Sequence, residues 1–237
     1  MNTIYHPSSS RGHANHGWLD SHHSFSFAGY FNPERMRFGM LRVLNDDIVA
    51  PGMGFGKHPH DNMEIISIPL KGALVHKDST GRSEIIKTND VQIMSAGTGI
   101  MHSEMNASDK EPVNFLQIWV FPKKRDITPR YEQKTFNPEK RINKWQTVVS
   151  PDGNNGSVTI NQDAWFSLVN LEEGQSIHYE NHPGTNGVYV FVIEGSVTLG
   201  SNTIGRRDAL GIEGNSQIIL KANKNAEVLL MEVPMNE

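Results

Sequence analysis

Two short stretches place metal-ligating side chains at alternate positions. His58-Pro59-His60 is followed by Glu64, and His102-Ser103-Glu104 comes about forty residues later. In an extended chain, residues i and i+2 project to one face. His58 and His60 can therefore reach one point, and Glu64 shares their parity. His102 and Glu104 form a second such pair. Two strands facing each other across a barrel would deliver these side chains to a single centre. Imidazole nitrogens with a carboxylate oxygen make a borderline donor set that suits Fe, Mn, Co, Ni, Cu or Zn. Residue types alone leave the carboxylate open between Glu64 and Glu104. One His-x-His pair by itself is more often a surface coincidence or a structural metal site. Two pairs at fixed spacing argue for a functional ion.

The elements that must position these residues read as strands. Short apolar runs such as 40–44, 65–70, 91–95, 115–121, 188–193 and 228–233 are punctuated by Gly, Asn, Asp or Pro. No long stretch carries a helical apolar period, so the pattern is that of an all-β sandwich or barrel. The segment from Pro122 to Gln133 is polar and holds two prolines, as a linker should. Strand patterning resumes at Trp145. The two sides look like diverged copies: a strand, a Gly turn at Gly72 or Gly195, a strand, then a strand opened by Asp90 or Asp208. Aligned on those glycines, His58 faces Asn181, His60 faces Pro183 and Glu64 faces Gly187. Aligned on the aspartates, Leu220 stands opposite His102. The second copy has lost the polar set, which predicts a structural second lobe, with His178 and His182 on its surface or loops.

Composition narrows the function classes. A hydrophobic fraction of 37% with 20% charged residues belongs to an ordinary globular chain. A net charge of -4, with Lys123-Lys124-Arg125 as the only tight basic cluster, gives no footprint for direct nucleic-acid binding. The absence of Cys removes disulfides and thiolate ligands, leaving nitrogen and oxygen donors. No apolar run approaches a membrane span, and the N-terminus lacks a signal-peptide core. The expectation is a cytoplasmic protein.

The spacing is more specific than the residue types. Gly52, five residues, His58, one residue, His60, three residues, Glu64, seven residues and Gly72 make the first stretch. Gly97-Thr98-Gly99, two residues, His102, three residues and Asn106 make the second. Both resemble the two motifs of the cupin superfamily, with Gly97 in place of the usual Pro and Gly72 one residue late. Longer strings are similar to the pirin family: 11–27 (RGHANHGWLDSHHSFSF), 54–64 (GFGKHPHDNME) and 94–104 (MSAGTGIMHSE), while 127–133 (ITPRYEQ) resembles its bacterial branch.

This resemblance implies a bicupin, two tandem cupin β-barrels of the double-stranded β-helix type with few short helices. An N-terminal cupin domain over 1–130 would carry the metal, and a C-terminal one over 131–237 would not. The family's ligands map onto His58, His60, His102 and Glu104, with Glu64 left behind them as a supporting group. One divalent transition metal is implied, Fe(II) first, with Mn, Co, Ni, Cu or Zn as substitutes. Bacterial pirins resemble quercetin 2,3-dioxygenases. That implies a metal-dependent dioxygenase that cleaves a flavonol such as quercetin with O2 and releases CO, with Glu104 as general base. The alternative is an iron-binding redox sensor or transcriptional co-regulator acting through a protein partner, as eukaryotic pirins imply. An internally duplicated body needs no second copy, so a monomer is expected.

Other residues read more plainly. His13, His16, His22 and His23 are expected to hydrogen-bond within the fold or to line a pocket. Phe25, Phe27, Tyr30 and Phe31 read as strand core, as do Trp119 and Trp145 as core aromatics. Met101 and Met105 alternate with His102 and Glu104 and should pack on the opposite face.

Overall fold

The computed structural model describes residues 2–184, 186–214 and 217–236. Among these the regular secondary structure is β-strand, apart from three short 3-10 turns at Ser8–Ser10, Pro138–Arg141 and Asn154–Gly156. The N-terminal part supplies twelve strands: β1 (Asn2–His6), β2 (Gly12–Asn15), β3 (Leu19–His23), β4 (Leu41–Val49), β5 (Gly54–His60), β6 (Glu64–Lys71), β7 (Ala73–Asp78), β8 (Ser83–Lys87), β9 (Asp90–Ser95), β10 (Ile100–Asn106), β11 (Val113–Val120) and β12 (Arg130–Thr135).

Eleven of these form two sheets. One has the order β12-β9-β6-β11-β4-β3-β2 and the other β5-β10-β7-β8. Their facing surfaces meet through Leu19, Val49, Leu74, Ile86, Val113 and Phe115. The sheets stay open, and neither closes on itself. The C-terminal part builds a nine-stranded sheet around two long strands, Asn186–Leu199 and Gln217–Pro234, which pair antiparallel.

The two parts are strapped together at both ends. β1 leaves its own half and pairs with Ala209–Glu213. His6 Nδ1 meets the Tyr189 hydroxyl at 2.8 Å. Arg207 Nε donates to Asp46 Oδ2 at 2.8 Å, with Arg11 Nη1 at 3.6 Å from the same oxygen. A single apolar cluster runs through both parts, joining Leu44, Ile66 and Ile118 to Phe166, Phe191 and Leu229. A second cluster, including Val190, Leu210, Leu220 and Leu230, lies wholly within the C-terminal part. Its interior is filled with aliphatic side chains where the N-terminal part carries His, Glu, Asp and Gln. The buried Glu232 is an exception there: it accepts from the Tyr179 hydroxyl at 2.7 Å and lies 2.9 Å from His182 Nδ1.

The segment read as a linker is partly ordered sheet. Arg130–Thr135 pairs along β9 as an edge strand. Its residues are mostly half-buried and polar, which suits a strand paired on one side only. Gly97 shows why a glycine stands in the second motif. Its φ is +48°, and a Cβ there would collide with the Ile127 carbonyl oxygen. The same closeness lets Thr98 N donate to Ile127 O at 3.0 Å. No helix among the described residues is long and apolar enough to cross a membrane.

Candidate metal centre

β5 and β10 lie side by side and hydrogen-bonded, not across the barrel from each other as the sequence reading had it. His102 pairs with His58, and Ile100 with His60. Forty residues of intervening chain fold back so that the two motifs become neighbours. Gly54 makes the approach possible, because a Cβ there would run into the Glu104 carbonyl and the Met105 Cα. The pairing slips opposite Ser103, where β5 carries an extra residue between Phe55 and His58, a bulge that re-aims the side chains of β5 around it.

Three imidazoles converge. Ring centroids are 4.4 Å apart for His58 and His102, 4.8 Å for His58 and His60, and 4.9 Å for His60 and His102. Their ligand nitrogens all lie within 4.8 Å of one another. His102 also belongs to a deeper trio with His76 and Glu104, again within 4.8 Å. Glu104 thus meets the imidazole set through His102, and the trio of His58, His60 and His102 does not itself include it. His102 and Glu104 are buried, while His58 and His60 are half-buried at the open side.

The hydrogen bonds orient this set. His58 Nδ1 lies 2.7 Å from the Gly56 carbonyl oxygen, so it carries the proton and leaves Nε2 bare. Ser67 Oγ donates to Glu104 Oε1 at 2.9 Å, and Gln117 Nε2 donates to Oε2 at 2.6 Å. His76 Nε2 lies 3.1 Å from Asp78 Oδ2. Among the described residues, neither ring nitrogen of His102 has a hydrogen-bond partner, although both are buried. A buried polar atom left unmatched costs about 1–3 kcal/mol. A cation is the partner that a cluster of neutral imidazoles and one carboxylate would satisfy, so the donor set fits a divalent transition metal.

Protonation agrees with that fit. Burial, reinforced by the neighbouring His58, pushes His60 down to about 4. Burial, then His58 and His60, pushes His102 down to about 2. Both are therefore neutral near pH 7 and able to bind a metal. Burial raises the Glu104 carboxyl above the usual carboxylate range. A cation beside it would favour the ionised form.

The trio opens onto a cavity of about 670 Å³. That lies in the ordinary range for a small-molecule site. His58, His60, Glu104 and Gln117 form its polar side, and Phe27, Tyr30, Phe55 and Trp119 give aromatic surface. Trp119 stands edge-on to His60, with centroids 4.9 Å apart at 84°.

Several expectations need correction. Glu64 does not support the centre. The chain kinks at Asn62, where φ is +43°, which breaks the parity with His60. Glu64 instead accepts from Ser95 Oγ at 2.8 Å and Asn161 N at 3.1 Å, tying the two halves of the chain. Phe27 and Tyr30 flank a tight turn and line the cavity, and Phe31 is 73% exposed; only Phe25 is core. Trp119 is a cavity wall. Met101 and Met105 do alternate with the buried His102 and Glu104, but stay half-buried. His13, His16 and His23 line the cavity. His178 is exposed, and His182 stacks on Trp165 with centroids 3.8 Å apart.

Reasoning from sequence missed His76, Ser67, Gln117, Asn45 and Asp47. A signal existed. All five are buried, and Ser67 and Gln117 stand out as polar residues between two apolar neighbours on their strands. Tyr131 was missed as well. β12 sets its ring against His76, with centroids 4.9 Å apart, closing the back of the cluster.

Comparison with known proteins follows this geometry. Residues 5–120 match a family model described as Pirin, and residues 147–233 one described as Quercetinase C-terminal cupin domain. The chain is 44% identical over 225 residues to quercetin 2,3-dioxygenase of Escherichia coli, covering 94% of this chain and 95% of that protein. The crystal structure of the bacterial pirin YhhW from Escherichia coli in complex with nickel(II) superposes with a TM-score of 0.93 at 40% identity, over 98% of this chain and 99% of that one. A quercetin 2,3-dioxygenase from Acinetobacter baumannii, 22% identical, shares the fold with a TM-score of 0.77 over 100% of this chain and 87% of that one. The architecture is the all-β bicupin.

Proposed function

The chain belongs to the pirin family, and from that premise we propose that it is a metal-dependent dioxygenase. It cleaves a flavonol such as quercetin with O2 and releases CO. The observation that carries this reading is the trio of imidazoles, with both His102 nitrogens unmatched, opening on an aromatic-walled cavity. Relatives named quercetin 2,3-dioxygenase and a nickel(II) complex of a 40% identical pirin support it.

His58, His60, His102 and Glu104 would hold the ion, within an N-terminal unit over 1–130. The C-terminal unit, 131–237, would hold none. Fe(II) is the first choice; Mn, Co, Ni, Cu and Zn suit the same donors. When bound, the metal supplies Lewis acidity and one-electron chemistry with O2. The protein's own groups do the rest. His58 is turned by its Gly56 bond so that Nε2 faces the cluster. Glu104 accepts the proton that a flavonol hydroxyl gives up. Ser67 and Gln117 keep its two oxygens in place while it does so. Phe27, Phe55 and Trp119 would flank a planar ring system and exclude water.

Anaerobic reconstitution with Fe(II), followed by O2 uptake and CO detection on quercetin, tests the proposal. Metal-dependent loss of quercetin with CO release, abolished by His58→Ala and by Glu104→Ala, is the expected result. Stoichiometric metal without turnover would overturn quercetin as the substrate and leave the metal-sensor alternative standing.

A further inference from the structure

A second cluster of ligand atoms lies outside the centre described above. β2 and β3 form an antiparallel hairpin in which His13 pairs with His22 and Asn15 with Asp20. Asp20 and His22 are two apart on β3 and so share a face, and His13 lies directly opposite His22 on that same face. The imidazoles of His13 and His22 stack with centroids 4.4 Å apart at 17°. Both turn a nitrogen toward one carboxylate oxygen. His13 Nε2 is 3.0 Å from Asp20 Oδ1, and His22 Nδ1 is 3.4 Å from it.

We propose that His13, Asp20 and His22 form a second divalent transition-metal site, on the hairpin that borders the main cavity. Ligand–metal bonds of about 2.0–2.2 Å place cis ligands roughly 3–3.5 Å apart, which is the spacing of each imidazole from the carboxylate here, and rotation of the stacked rings would aim both nitrogens at one ion. All three ligand atoms fall within 4.8 Å of one another. The carboxylate is held ready. Gly17 N donates to Asn15 Oδ1 at 2.8 Å, which fixes the amide so that Nδ2 donates to Asp20 Oδ2 at 3.1 Å. That leaves Oδ1 to the two imidazoles, the arrangement by which a supporting hydrogen bond orients a metal-binding carboxylate. The nearest cation, Arg11, is drawn to Asp46 at 3.6 Å.

Two imidazoles and one carboxylate on a hairpin leave the remaining coordination positions to water. The three side chains are between a third and a half exposed, so an ion here exchanges with solvent, unlike one at the buried His102. His13 also lines the cavity that holds His58 and His60. Asp20 and His22 lie on the face of β3 opposite Ser21 and His23, which line that cavity, so the site borders it from outside. Neutral imidazoles favour Zn, Ni, Cu(II) or Co over Mg or Ca. The site is independent of the reaction proposed above and would exist on a protein with no dioxygenase activity.

Equilibrium dialysis and calorimetry of the full chain with Ni(II) or Zn(II) test this. Two equivalents should bind, one tight and one weaker. Asp20→Asn and the double variant His13→Asn/His22→Asn should each lose the weaker equivalent and keep the tight one. His102→Leu should show the opposite pattern. Asn15→Ala leaves the ligands in place and should weaken the second equivalent about 10–100-fold. Circular dichroism checks that each variant is folded. Absence of the weaker equivalent in the wild type, or a weaker equivalent that survives both rim variants, would overturn the site. Loss of the tight equivalent alone would count against the inner centre and leave this one untouched.

Discussion

Replacing His102 by Leu should separate the demands of stability from those of metal binding. A neutral imidazole offers one N–H donor and one acceptor nitrogen, and in His102 both are buried without partners. Each unmatched atom costs about 1–3 kcal/mol, so the metal-free wild type carries roughly 2–6 kcal/mol of unrelieved desolvation at this one side chain. Leucine fills a similar volume with no polar atom. An imperfect shape match returns about 1 kcal/mol. The metal-free variant should therefore be more stable by ~1 kcal/mol or more. For a chain of this size that is a rise in Tm of about 2–4 °C per kcal/mol. Metal reverses the order. An ion at a thousand times its Kd stabilises the wild type by about 4 kcal/mol through mass action, and should give the variant only the smaller gain that the weaker hairpin site supplies. Thermal melts followed by circular dichroism, with chelator and with excess Ni(II), read both effects. A metal-free variant that melts several degrees below the wild type would refute the claim that these nitrogens lack partners. A variant that gains as much from metal as the wild type would refute the placement of His102 at the centre.

Gln117→Leu removes the 2.6 Å bond to Glu104 Oε2 without touching an imidazole, and should lower metal affinity or kcat about 10–100-fold, read by titration and by steady-state rates. Asp47, buried beside Ser21, has its carboxyl pushed up to about 7 by burial. The folded state therefore holds that proton more tightly than the unfolded chain does, so stability is highest below pH 4 for this group and falls as pH rises toward 7. Asp47→Asn should flatten the fall in urea midpoint between pH 5 and 8, and an unchanged slope would assign the pH dependence elsewhere. Asp46→Ala leaves Arg207 buried without its carboxylate and should cost about 3–5 kcal/mol in a urea melt. Gly97→Ala forces a Cβ onto a residue at φ +48° and against the Ile127 carbonyl, and should lower Tm by several degrees.

Strand periodicity decided much of this protein. Alternation places His58 with His60, and His102 with Glu104, on common faces, whatever the strands later do. Turn glycines announce the repeat, and Asn181, Pro183 and Leu220 opposite the ligands predict a second lobe that lacks the histidine set. Those are local properties, set by backbone geometry and by the side chains themselves. What alternation does not carry is the pairing between strands far apart in sequence. Only the folded chain brings β5 beside β10, inserts an extra β5 residue between Phe55 and His58 opposite Ser103, and turns Glu64 away at Asn62. The same long-range register sets His76 opposite Glu104 on β7 and Gln117 against its carboxylate from the facing sheet. It also gathers His13, Asp20 and His22 on one hairpin face. Register follows from which apolar faces must be buried together and from the few residues whose backbone can bend. That is a condition on the whole core, so the spacing of any one motif could not contain it.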